Sequence, residues 1–161
     1  MTAYKSNARI LKDGLLALLS SIQYDAGNGE GSAFELVTDD PSGAITAEPY
    51  ALVIPAPWED IKGPVGQNDR TVCFTIVMLL SLEDKQRTQP QSYNMMEDLT
   101  ELVLDALDES DFTDGLNQYN PDPKNWILES PKAHILPAEW KKGGAVLLCR
   151  IDVAIKYTKD L

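Results

Sequence analysis

The run from Thr71 to Leu82, TVCFTIVMLLSL, limits the fold more than any other part of the chain. Its even positions, Val72, Phe74, Ile76, Met78, Leu80 and Leu82, are all apolar. Its odd positions, Thr71, Cys73, Thr75, Val77, Leu79 and Ser81, are mixed. Side chains alternate across a strand, so one face is core throughout and the other is partly apolar, with room for cover in its middle. Fully extended, the run reaches about 40 Å at roughly 3.3 Å per residue, which is long for a strand in a small domain. We expect so long a strand to offer a sheet edge to another copy of the same chain, where an unpaired edge finds its cover.

A second long strand is expected at Ala145–Tyr157, AVLLCRIDVAIKY. Leu147, Cys149, Ile151, Val153, Ile155 and Tyr157 give one apolar face, and Arg150, Asp152 and Lys156 wet the other. Shorter strands are expected at Phe34–Thr38, at Tyr50–Ile54 between two prolines, at Trp126–Ser130 and at His134–Leu136. Two helices frame this material. The first covers residues 6–23, with Ser6 as cap and Leu11, Leu15, Leu18 and Ile22 on one face. The second covers Tyr93–Asp108, with Ser92 as cap and Leu99, Leu102, Val103, Ala106 and Leu107 in its apolar stripe. Long loops are expected at 25–49, 55–69 and 109–125, the first opening with the glycine-rich DAGNGEGS and holding the turn DDPSG. The order of elements predicts one α+β domain over 1–161: a mainly antiparallel, twisted sheet with both helices packed on one face. A length of 161 residues fits a single hydrophobic core.

Charge narrows the partners. The chain carries 14 Lys and Arg against 25 Asp and Glu, a net charge of −11, which argues against gripping nucleic acid through its phosphates. The charge is also segregated. Glu83–Asp122 holds eleven acids and two bases, whereas Lys124–Leu161 holds seven bases and four acids. Within the second helix Glu97, Glu101, Asp105 and Asp108 line up three or four residues apart. That spacing costs a few tenths of a kcal/mol per like-charged pair unless a basic partner faces it, a solvated face being the plain alternative. Acid of one copy against base of the next is the self-association such a distribution favours.

Catalytic signatures are not found. His134 is the single histidine, so no metal site is expected, and no cofactor. Cys73 and Cys149 read as strand residues in a reducing compartment, and a Cys–His pair is the weaker reading. The glycine-rich stretches match neither a Walker loop nor a dinucleotide fingerprint. Acid pairs such as Asp39–Asp40 and Glu59–Asp60 read as solvated loops. The longest apolar run falls short of the ~20 residues a membrane helix needs. A signal peptide is disfavoured by Asp13 and by the helical spacing of the leading apolar residues.

Taken in order, the segments ARILKDGLLALLSSI, EPYALVIPAP, RTVCFTIVMLLSL, MMEDLTELVLDALDES and GGAVLLCRIDVAIKY resemble the tail terminator (tail completion) proteins of long-tailed bacteriophages. The resemblance covers most of the chain and is one of element order and spacing, with no catalytic motif. It implies a structural virion protein, not an enzyme, that forms a ring, of six copies, on the last ring of the tail tube. That ring would stop tube growth and join a head-completion or neck protein, with DNA passing through its lumen unbound. Its place would be the head-proximal end of the tail, and the host cytoplasm during assembly. The segment Asp25–Pro49 is longer than in a minimal member and reads as an added hairpin or partner loop. Loops 25–33, 55–69 and 83–91 are the expected contacts, with Trp58, Ile61 and Arg87 as interface residues. The alternatives are another neck, head-closure or tail tube component, or a small ligand-binding or enzymatic α+β domain.

Overall fold

The computed structural model describes residues 6–25, 27, 29–41, 47–62, 67–82, 87–108, 126–140 and 144–160; at 59–62, 67–69, 137–140, 144 and 158–160 it describes the backbone alone. The fold is α+β. Among the described residues, two helices accompany a seven-stranded sheet and a separate two-stranded hairpin.

Helix α1 (Asn7–Ser21) starts where expected, the Ser6 hydroxyl accepting from the Arg9 amide at 3.2 Å. Its buried row is Ile10, Leu11, Leu15 and Leu19, so Leu19 takes the place expected of Leu18. The i+4 spacing of Leu11, Leu15 and Leu19 keeps one row on the sheet, and Ile22, already extended, packs from beyond the helix end.

Helix α2 (Gln89–Asp108) begins four residues earlier than expected. Its cap is Thr88, not Ser92. The Gln91 amide donates to Thr88 Oγ1 at 3.4 Å, and the Thr88 amide donates back to Gln91 Oε1 at 2.9 Å. This reciprocal pair satisfies two amides that the helix leaves orphaned, and Pro90 in the first turn loses no bond. Ser92 is instead buried inside the helix.

Strands β1 (Gln23–Asp25) and β2 (Glu30–Ser32) form a hairpin that begins at Gln23, the last residue expected in the first helix, and runs into the segment expected as loop 25–49. Asp25 Oδ1 accepts from the amides of Gly27 and Gly29 at 2.8 and 3.0 Å. Both glycines have φ above +100°, a conformation L side chains avoid, which is why the turn needs glycine at those two places. Strand β3 (Leu36–Thr38) follows and pairs in parallel with β4 (Tyr50–Pro55), among the described residues the one parallel pairing in an otherwise antiparallel sheet. The second expected loop, 55–69, is corrected in the same way. It contains β5 (Glu59–Lys62) and the start of β6 (Gln67–Ser81), paired with each other. The third, 109–125, lies outside the described residues.

The long strand is not an edge. β6 pairs with β9 (Gly144–Asp160) without interruption from Gln67 opposite Asp160 to Ser81 opposite Val146. β4 and β5 cover its other side. The expected open edge is therefore at the centre of the sheet, and the length of β6 is answered by β9 within the same chain. Alternation shows which face of a strand is apolar but not which strand lies beside it. The edges among the described residues are β3 and β5 on one side and, beside β9, β7 (Ile127–Leu128) and β8 (Lys132–Trp140) on the other.

Both helices share one core with one face of this sheet. Val72, Phe74, Ile76, Met78 and Leu80 of β6 join Leu147, Cys149, Ile151, Val153 and Ile155 of β9, Ala51 and Val53 of β4, and the buried rows of α1 and α2. Each fully buried large side chain stabilises by about 1.5–3 kcal/mol. Where the sheet outruns the helices, Trp126 packs on Tyr157 with ring centroids 5.0 Å apart and closes the far end of this core.

Candidate functional site

Among the described residues the opposite face of the sheet carries no helix, and its composition follows from the register. Opposite the core residues of β6 point Cys73, Thr75, Val77 and Leu79. Opposite those of β9 point Val146, Leu148, Arg150, Asp152, Ala154 and Lys156. One row crosses four strands as Tyr50, Leu79, Leu148 and Leu136; the next runs Leu52, Val77, Arg150 and His134; a third runs Ile54, Thr75, Asp152 and Lys132. Tyr50, Thr75 and Leu79 are buried, so the middle of this face has the partial cover its mixed pattern suggested. Around them Leu52, Ile54, Val77 and Leu148 are half-buried, and Leu136 on the edge strand is 53% exposed.

Three cations, Lys132, Arg150 and Lys156, share this face with two described acids, Asp152 and, at its edge beside Ala154, the exposed Glu129, whose amide donates to the Ala154 carbonyl at 3.0 Å. Asp152 accepts from the Thr75 hydroxyl at 3.1 Å and lies 4.0 Å from Arg150. The outer side of α2 has the opposite character. Glu97, Glu101, Asp105 and Asp108 are all exposed, while Met96, Leu99, Val103 and Leu107 face the core. No Lys or Arg occurs anywhere in α2.

Beside α2, the hairpin leaves an open groove of about 370 Å3 lined by Tyr24, Asp25, Asp98, Glu101 and Asp105 among others. The Tyr24 hydroxyl donates to Asp98 Oδ2 at 2.8 Å. Partial burial, then the Asp98 bond and charge, push the Tyr24 phenol up to about 12.

The expected interface residues are not brought together. Trp58 is 52% exposed just before β5, at the end of β6 where Glu59 opposes Thr71. Ile61 follows on β5 opposite Asp69, its side chain outside the described residues. Arg87 lies beside Ser81, ten positions further along β6, about 33 Å away at strand spacing. Arg87 is partly buried. It pairs with Glu48 at 2.9 Å and donates to Ser92 Oγ at 3.3 Å and to the Ser81 carbonyl, tying the entry of β4 to the start of α2. This contact is not legible in the sequence, because Glu48 and Arg87 stand far apart in the chain. Of the contact loops, residues 26, 28, 63–66 and 83–86 lie outside the described residues.

The groups considered for chemistry are also apart. Cys149 is buried in the core and accepts a hydrogen bond from the Thr100 hydroxyl at 3.3 Å. Burial pushes its thiol up, against the Thr100 bond and a backbone bond from His134. Cys73 is on the other face, four positions along β6 from the row that holds His134, about 13 Å by strand spacing alone. That separation leaves no Cys–His pair. Asp39 of the expected acid pair is bonded to Lys12 at 3.1 Å. Among the described residues no group of three or more potential ligands could hold a metal ion, and no helix is long and apolar enough to cross a membrane. No protein-family model matches the chain, and no curated protein matches it.

Proposed function

We propose that this chain is a structural subunit of a long-tailed bacteriophage, a tail terminator that assembles as a ring of six on the head-proximal end of the tail tube. The observation that carries the reading is the two-sidedness of the fold. One sheet face is closed by helices, and the other presents half-buried Leu52, Ile54, Val77 and Leu148 with exposed Leu136 and three cations. Apolar surface ringed by charge is the chemistry of a protein contact. The order of elements, helix, short strands, long strand, helix, strand, long strand, is that of the terminator family the sequence resembles. A net charge of −11 suits a lumen through which DNA slides without sticking.

In this reading one rim of the ring meets the tail tube protein and the other a head-completion or neck protein, with Trp58 and the β5–β6 hairpin contributing to one rim. The test is end-labelling of assembled tail tubes of the same phage. Addition of the protein should place density at one tube end and stop elongation there. Tubes that grow to unlimited length in its presence, with bare ends, would exclude the terminator role.

A further inference from the structure

We infer that the helix-free face of the sheet seats the acidic outer side of α2 from a second copy, so that the ring is built head to tail from opposite sides of one molecule. This contact rests on the ring reading and specifies which surfaces make it.

Complementarity supports the choice of occupant. Among the described residues the sheet face carries Lys132, Arg150 and Lys156 against Asp152 and, at its edge, Glu129, around a half-buried apolar middle. The outer side of α2 carries Glu97, Glu101, Asp105 and Asp108, with no base in the helix. The lengths agree as well. Glu97 to Asp108 spans about 17 Å at the helical rise of 1.5 Å per residue. Arg150 to Lys156 spans about 20 Å along β9 at roughly 3.3 Å per residue. The acids of α2 repel one another, and those in its last turn also oppose the helix dipole. Cations from a neighbour relieve both costs. Copies with a net charge of −11 repel at long range, so locally opposite charge selects which faces can meet.

Opposite surfaces joined in this way make a heterologous contact, which closes into a ring when the rotation between copies allows it. A two-fold dimer of sheet faces would instead bring Lys132, Arg150 and Lys156 against their own counterparts.

The test uses two full-length charge-reversed variants and light-scattering mass. One is Glu101→Lys with Asp105→Lys on α2. The other is Lys132→Glu with Arg150→Glu on the sheet face. Each alone should associate at least about tenfold more weakly than the parent protein. An equimolar mixture should recover the parent mass, because each variant's reversed surface then meets its complement and both contacts form in alternation. Recovery also shows that both variants are folded. The neutral versions, with Gln at the same four positions, serve if a reversed variant melts early. They should weaken association alone and should not recover on mixing.

Reversed variants that match the parent mass would overturn this contact and leave the ring to be built from other faces. A parent that stops at two copies, unaffected by the α2 changes, would overturn it in favour of an isologous dimer. A parent that remains monomeric at every concentration would overturn the contact and the preformed ring together.

Discussion

Arg87 donates through Nη2 to Glu48 Oε1 at 2.9 Å, and the other carboxylate oxygen of Glu48 accepts both the Ser81 amide, at 3.0 Å, and the Ser81 hydroxyl, at 2.6 Å. Three segments meet there: the approach to β4, the end of β6 and the start of α2. Burial alone would raise the Glu48 carboxyl, but the Ser81 and Arg87 bonds together outweigh it and hold the group below its usual value of 4.5. A lowered folded-state value means that the stabilisation is complete above the unfolded value and disappears as pH falls through the folded one. Glu48→Gln should therefore cost about 1–3 kcal/mol at pH 7. The difference from the parent should shrink towards zero in strong acid. Urea unfolding of both proteins at neutral and acid pH measures this, and an equal loss at both pH values would contradict it.

Tyr24 and Asp98 form another long-range polar contact, between the hairpin and α2. The Tyr24 phenol stands at about 12, above its ordinary 10.0. With a raised folded-state value, its contribution is intact below pH 10 and is lost as pH climbs towards 12. Titration of tyrosinate absorbance should show a late component that Tyr24→Phe removes. The same substitution should lower stability at neutral pH by no more than about 1 kcal/mol. A parent protein with no late component would contradict the contact.

Trp58 is half exposed and belongs to none of the buried clusters. Trp58→Ala should leave the far-ultraviolet spectrum and the melting temperature close to those of the parent, and weaken assembly or tube-end binding. A variant that unfolds would place Trp58 in the core of the fold.

Much of the fold was legible because it depends on local pattern. The alternation in Val72–Leu80 and Leu147–Tyr157 identified the core face of both long strands, and Ser6 marked the start of α1. Pairing was not legible. Nothing in TVCFTIVMLLSL says that β9 lies beside it, so its length suggested another copy when its partner was the same chain. The segment before β6 looked like loop because Pro55, Pro57 and Pro64 with Gly63 and Gly66 punctuate it, yet Glu59–Lys62 is long enough to pair back. Ser92 reads as a cap because apolar residues follow it closely, whereas the polar run around Pro90 hides the Thr88–Gln91 pair. In the sequence Arg87 is one of two bases, with Lys85, among the eleven acids of Glu83–Asp122. Its partner, Glu48, comes from a different part of the sheet and only the fold supplies it.

The measurement that bears most directly on the ring reading is the mass of the purified protein by light scattering, with negative-stain images of the same sample. The ring reading predicts a particle of about six times 17.8 kDa with a central hole. A clean monomer with no ring in any image, in solution and with tail-tube tips added, would contradict it.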